Sequence, residues 1–221
     1  SKGDIVIAVS QSGETGDVLT AARTASSNGC KVVSVTNEGR STLAKIADAT
    51  IVTRAGREVA IPMTKTYTSL LAALFSIAET LRPKKPTYSP LKGISSAMEA
   101  TIKTSEEKVR IIVDETKEQK AVFLLGRGPS YATALEACLK LKEASLINAE
   151  AFSSPEFRHG PIALAEKGTT AIAFTNSDSL DDTTVRLVAG LAKTGARTLS
   201  VGDRLGSTIA TAQVPYHLTP I

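Results

Sequence analysis

The chain has no tryptophan, and its few phenylalanines and tyrosines bring the aromatic content to only 4%. Little is left for the stacking platforms that hold single-stranded nucleic acids. No basic block of five or more, RNP-like segment or zinc-finger spacing accompanies the net charge of +4, so nucleic acid is not an expected partner. Cys30 and Cys138, one after a helix end and one inside a helix, suggest no disulfide framework, and no Cys/His cluster is spaced to hold a metal. No apolar run approaches a membrane span and no signal peptide opens the sequence, which gives the expectation of a cytoplasmic protein without a membrane partner. The remaining composition, 221 residues of which 42% are hydrophobic and 22% charged, suits one large or two small globular domains. Its mild positive charge is either solvated surface or a weak attraction for anionic substrates.

The stretch Asp4–Asn28 organises the chain. Ile5–Val9 is a continuous, mostly β-branched run of the kind a parallel strand covered on both faces needs. Ser10, Gln11, Ser12, Gly13, Glu14 and Thr15 then form a polar loop, and Val18, Leu19, Ala22 and Ala25 recur at helical spacing until Asn28-Gly29. Such a loop at a helix N-terminus suits an anion, because free backbone N–H groups and the positive end of the helix dipole converge there. The Gly-Lys-Ser/Thr of a nucleotide loop is absent, so a small sugar phosphate fits better than ATP. The alternative is that Ser12 or Thr15 is simply a helix cap.

Further along, Lys31–Asn37 and Ala49–Thr53 read as strands in a βαβ pattern, and a helical face runs from about Pro62 to Leu81. Three prolines between Arg82 and Pro90 mark a linker, followed by a charged helix over 91–119. A new α/β unit starts at Lys120 and passes through Gly126-Arg127-Gly128-Pro129-Ser130 into a helix over 131–146. Thr169–Ser177, the helix after it and Arg197–Val201 repeat the opening stretch, and Ile46–Ile51 matches Ile209–Val214. The expected domains are therefore 1–81, a connecting segment 82–119, and 120–221. Copy two begins with elements that copy one lacks, and copy one closes with a helix that copy two lacks. The sequence thus reads as an internal stretch of a longer chain.

Three features carry candidate chemistry. The Gly126-Arg127-Gly128 turn lacks the third glycine of a dinucleotide loop; it is either a tight turn or a second polar loop presenting Ser130. Glu136, Lys140 and Glu143 share one face of a mostly apolar helix, either as a salt-bridge ladder or as a carboxylate base kept ionised by an ammonium. His159 lies in a Gly/Pro-framed loop and is either ordinary surface or a proton-transfer group. His217, in the closing strand segment, reads as structural.

Together S-Q-S-G-E-T at Ser10–Thr15, A-L-E-A-C-L-K-L-K-E at Ala134–Glu143, A-E-A-F at Ala149–Phe152 and R-H-G-P at Arg158–Pro161 resemble the double sugar isomerase (SIS) family. The resemblance is closest to the isomerase half of glucosamine-6-phosphate synthase and to stand-alone amino-sugar-phosphate deaminases and isomerases. It implies two flavodoxin-like α/β domains, each a parallel sheet flanked by helices. It also implies that Ser10, Gln11, Ser12 and Thr15 bind the substrate phosphate and that Glu143 is the base moving a proton between C1 and C2. His159 would help open the sugar ring, often from a neighbouring subunit, which calls for at least a dimer, and Lys140 would stand near the reacting centre. No cofactor is needed, because the sugar supplies its own electron sink. Pro62 and Met63 depart from the synthase-type pattern toward the stand-alone enzymes. The implied reaction is interconversion of glucosamine 6-phosphate and fructose 6-phosphate with ammonia. The alternatives are the isomerase part of a glutamine-dependent synthase and a non-catalytic sugar-phosphate sensor.

Overall fold

The computed structural model describes residues 2–177, 182–215, 218 and 220; His217 lies outside them. The chain divides into two units, Ser1–Tyr88 and Ser89–Ile221. The division falls inside the proline-rich stretch.

In the first unit, β1 (Ile5–Val9), β2 (Lys31–Thr36) and β3 (Ala49–Val52) form a parallel sheet in that order. Helices α1 (Gly16–Ser27) and α2 (Thr42–Ile46) cover one face, where Ala8 and Val32 pack with Leu19, Ala22 and Leu43. Leu43 is fully buried, and truncating such a side chain costs about 2–5 kcal/mol. Gly29 takes the left-handed conformation (φ 79°) that ends α1 where Asn28-Gly29 indicates. Ser41 caps α2 by accepting the Ala44 N–H at 3.3 Å.

The opposite face of β1 departs from the expectation of a strand covered on both sides. Ile5 is 63% and Ile7 38% exposed. The reason is position: β1 lies at the sheet margin, paired only with β2 among the described residues, and α1 and α2 occupy the other face.

Helix α3 (Lys65–Thr80) starts three residues later than its apolar pattern suggests. The Glu58 carboxylate sets the start, accepting the Thr66 hydroxyl at 2.8 Å and the N–H groups of Thr64 and Thr66, both at 3.3 Å. Thr64, the capping residue by position, makes no side-chain capping bond. At the far end Glu79, only 5% exposed, accepts Arg82 Nη1 at 2.6 Å and the Thr87 N–H at 3.2 Å. The Thr80 and Tyr88 hydroxyls lie 2.9 Å apart. Residues 82–88 are thereby folded back onto α3.

The second unit opens with α4 (Ile94–Thr116) and continues β4 (Ala121–Gly126), α5 (Pro129–Ser145), β5 (Ala149–Ser153), α6 (Ser154–Phe157), β6 (Thr169–Phe174), α7 (Asp182–Leu191), β7 (Arg197–Gly202) and β8 (Ile209–Ala210). Its sheet is parallel throughout, in the order β5-β4-β6-β7-β8. The apolar run of β4 feeds two layers by simple alternation: Phe123 and Leu125 enter one core, Val122 and Leu124 the other. Phe123, Phe152 and Phe157 form an aromatic cluster with ring centroids 5.3–6.4 Å apart.

The internal repeat is visible in hydrogen bonds. The Ser10 N–H donates to Val35 O at 3.1 Å and the Thr175 N–H to Val201 O at 2.9 Å, so β1-β2-β3 corresponds to β6-β7-β8. Ile51 sits opposite Val35 and Ile209 opposite Val201. Ile51 is therefore the counterpart of Ile209, and the sequence match of Ile46–Ile51 to Ile209–Val214 is displaced by five residues. Both stretches read Ile-Ala-x-Ala-x followed by a β-branched residue, a pattern that strand pairing rather than composition must place in register. Strand order reverses between β4 and β6, the point in an open parallel sheet where a crevice forms beyond the carboxyl ends.

Candidate functional site

The polar loop Ser10–Thr15 stands at the carboxyl end of β1 on the first unit. Its course is fixed from below: Gln11 O accepts the Asn37 N–H at 3.0 Å and the Thr36 hydroxyl at 3.1 Å. Ser10 is 7% exposed and faces inward, where its oxygen accepts the Gly13 N–H at 3.1 Å and lies 2.9 Å from the Thr15 hydroxyl. Ser12 accepts the Glu14 N–H at 3.2 Å and retains its own proton for donation. Gly13 has φ +67°, and a Cβ there would fall 2.1 Å from Ser41 Oγ. Only glycine fits.

Thr15 is the N-cap of α1 by position, yet its side chain makes no capping bond. The first helical N–H to bond back within the chain is that of Leu19, to Thr15 O at 2.9 Å. The first-turn N–H groups of an α-helix have no intrahelical acceptor, and here Thr15 has turned its hydroxyl toward Ser10 instead. This geometry speaks against the simple capping alternative. Glu14 does not fill the gap: its carboxylate accepts the Thr42 N–H at 2.7 Å, and that bond holds its carboxyl below the usual range.

The charged cluster belongs to α5 on the second unit. Ala134 and Cys138 bury one side of this helix against Val122, Leu124 and Ala149, while Glu136, Lys140 and Glu143 line another. Lys140 Nζ lies 2.8 Å from Glu143 Oε2 and 3.3 Å from Glu136 Oε1. All three side chains are about a quarter exposed, at 22–29%. Burial works against the Lys140 ammonium, but the hydrogen bonds to Glu143 and Glu136 outweigh it and raise its pKa above the ordinary lysine value. One permanent cation is therefore shared by two carboxylates. The turn before α5 is tight: a Cβ on Gly126 would fall 2.2 Å from Ser130 O. Ser130, in the first turn of α5, is buried and its hydroxyl accepts from the Asn176 amide at 3.0 Å, tying that turn to the segment that follows β6. That favours the tight-turn reading of Gly126–Ser130.

His159 follows α6 in an exposed loop, its N–H donating to Glu156 O at 2.9 Å. Next to it Arg158 Nη2 donates to Thr183 O at 3.2 Å, and Arg127 Nη1 donates to the Thr183 hydroxyl at 2.9 Å. Sequence reasoning missed what lies beneath. Ser154 and Thr184, both buried, have hydroxyl oxygens 2.6 Å apart, and the Ser154 hydroxyl donates to Gly126 O at 3.2 Å. It also missed Asn37, whose amide donates to Gly56 O and accepts from Thr53 and Ala55, shaping the loop after β3. Among the described residues no group of three or more His, Cys, Asp or Glu side chains is arranged to hold a metal, and no helix is long and apolar enough to cross a membrane.

Parallel α/β units whose polar and charged groups gather on strand-to-helix loops and on one helix face define an open-sheet α/β protein of the flavodoxin-like kind. The sequence model of the SIS domain matches residues 1–79 and 116–219, and the chain belongs to that family. It is similar to the isomerizing glutamine–fructose-6-phosphate aminotransferase of Thermococcus kodakarensis, at 38% identity over 209 residues covering 90% of this chain and 35% of that protein. The Clostridium tetani protein of the same name is 36% identical over 209 residues, covering 90% of this chain and 34% of its own length. The chain thus spans about a third of these curated relatives. Among solved structures, the C-terminal domain of glucosamine-fructose-6-phosphate aminotransferase from Francisella tularensis superposes with a TM-score of 0.88 and 28% identity. It takes in 100% of this chain and 67% of that one. Glucosamine-6-phosphate deaminase from Thermotoga maritima follows at 0.78 and 29%, covering 96% and 64%.

Proposed function

We propose that this chain carries the isomerase chemistry of an enzyme interconverting glucosamine 6-phosphate and fructose 6-phosphate. The observation that carries the reading is the Glu136–Lys140–Glu143 cluster, which keeps a carboxylate beside a fixed ammonium. Moving a hydrogen between C1 and C2 needs a base that takes the proton α to a carbonyl or imine and returns it to the neighbouring carbon. Glu143 fills that role, and the Lys140 ammonium offsets charge that develops on the enediol or enolamine oxygen. His159 assists ring opening by proton transfer to and from the ring oxygen and the anomeric hydroxyl. Ser12, Gln11, Thr15 and the start of α1 hold the 6-phosphate, with Ser10 shaping the loop beneath them. In general, a phosphate anchor turns binding of a remote, non-reacting group into catalytic advantage. The sugar carbonyl is the electron sink, so the scheme requires no cofactor, and the working form is a homodimer.

Two nitrogen sources are supported by different observations. Pro62 and Met63 favour free ammonia, as in a deaminase. The aminotransferase relatives, about three times as long as this chain, favour glutamine handled by a separate domain. The test uses the full-length protein: glucosamine 6-phosphate is supplied without glutamine, and ammonia and fructose 6-phosphate are followed together. Joint appearance establishes the deaminating reaction. Production of glucosamine 6-phosphate from fructose 6-phosphate only when glutamine is present establishes the synthase. Binding without either conversion overturns both and leaves an isomerase of another sugar phosphate or a sensor, which a glucose 6-phosphate/fructose 6-phosphate interconversion assay separates.

A further inference from the structure

His159 sits in an exposed loop, yet the six residues before it are anchored at several points. Phe157 is fully buried in the aromatic cluster with Phe123 and Phe152. The Ser153 hydroxyl donates to Glu156 Oε2 at 2.8 Å, and Arg158 reaches Thr183 O. At the root of the segment is Ser154, the first residue of α6, 1% exposed. Its single proton goes to Gly126 O at the end of β4, so the 2.6 Å contact with Thr184 requires the threonine hydroxyl to donate to Ser154. The result is a buried relay, Thr184 to Ser154 to Gly126, joining α7, α6 and β4 at the carboxyl edge of the sheet. Four residues of helix cannot hold an orientation alone, since one helical turn is mostly nucleation cost. Tertiary bonds must do it.

We infer that Ser154, backed by Thr184, is the positioning residue for His159: it fixes where the loop leaves β5 and hence where the imidazole stands. The inference rests on the proposed role of His159 in ring opening. Its physical basis is independent of that role, because replacing Ser154 by alanine leaves Gly126 O and the Thr184 hydroxyl buried without this partner. A displacement of the order of an ångström at a proton-transfer group is enough to slow the step.

The test combines kinetics with amide exchange on the full-length protein. Ser154→Ala is expected to lower kcat about tenfold with KM within twofold, and to speed amide exchange across residues 155–160 at least tenfold. Thr184→Ser, which keeps the hydroxyl, should behave as wild type, whereas Thr184→Val should reproduce the Ser154→Ala effect. In a His159→Ala background, Ser154→Ala should change kcat by less than twofold, because its effect acts through the missing imidazole. An equal loss in both backgrounds, or unchanged exchange across 155–160, overturns the inference. If wild-type protein shows no sugar-phosphate conversion, the functional reading is what has failed, and the exchange result alone then decides whether Ser154 fixes the segment.

Discussion

Gly13→Ala is the most demanding single test of the polar loop. Two costs can be read from the structure. Alanine at φ +67° pays the left-handed penalty of roughly 1–2 kcal/mol. Its methyl would also lie 2.1 Å from Ser41 Oγ and 2.5 Å from Ser41 Cβ, so Ser41 must move. Ser41 caps α2, and losing such a cap costs about 1 kcal/mol. The expected destabilisation is therefore roughly 2–3 kcal/mol, localised to the loop and α2. Urea titration followed by circular dichroism gives the global change, and amide exchange over residues 42–46 gives the local one, which matters because two units need not unfold together. Removing the obstruction supplies the control. Gly at a cap position costs only a few tenths of a kcal/mol relative to Ser, so Gly13→Ala/Ser41→Gly should relieve the clash with Ser41 and leave the backbone penalty, that small cap cost and the 3.1 Å approach to Thr36 Oγ1. If Gly13→Ala is as stable as wild type, or the second substitution adds to the damage instead of relieving it, the account of this loop is wrong.

Glu143→Gln should abolish turnover in the glucosamine 6-phosphate assay while a calorimetric titration shows sugar-phosphate binding preserved, since a base is lost and the anchor is not; an active variant removes Glu143 from the mechanism. Ser12→Ala combined with Thr15→Ala should weaken binding of a 6-phosphate sugar by at least tenfold, and unchanged affinity would return these residues to a purely structural role. Glu58 is tested by acid: the Thr66 hydroxyl bond, ahead of the backbone bonds, holds its carboxyl below the usual range. A group with a depressed folded pKa stabilises above its unfolded pKa, and that contribution disappears as pH falls through the folded value. Protection factors for the amides in the first turn of α3, corrected for the intrinsic pH dependence of exchange, should therefore fall on acidification through the carboxylate range in wild type, and Glu58→Gln should be poorly protected already at neutral pH with no further fall on acidification.

Local features of this molecule were legible in the sequence because they are written in short-range periodicity. The strand–loop–helix of Asp4–Asn28 and the spacing of Glu136, Lys140 and Glu143 are of this kind, and both appear where spacing puts them. Features set by distant partners were not legible. The late start of α3 depends on Glu58, several residues upstream of the helix and outside its pattern. The fold-back of residues 82–88 depends on a carboxylate buried in the preceding helix, while their composition alone reads as a free linker. Thr184 lies 30 residues from Ser154, and nothing in either neighbourhood marks the pair. The displaced match of Ile46–Ile51 shows the same limit, since two stretches of similar composition carry no record of which neighbour each strand will meet.

Strand order also sets a timetable. The hydrogen-bonding edge of β4 that faces β6 pairs Ala121 with Thr169, so it must wait for chain made 48 residues later. At ribosomal rates of roughly 5–20 residues per second, that interval is on the order of 2–10 s. Throughout it, Val122-Phe123-Leu124-Leu125 has emerged without the strand that will flank it, and this is the most apolar stretch of the sheet. Only β5, following α5 in the same stretch of chain, can pair with it early. The second unit therefore spends its vulnerable period as a β4–α5–β5 fragment whose other margin invites the wrong neighbour, and the yield of folded protein in the cell will depend on how well that margin is guarded until β6 arrives.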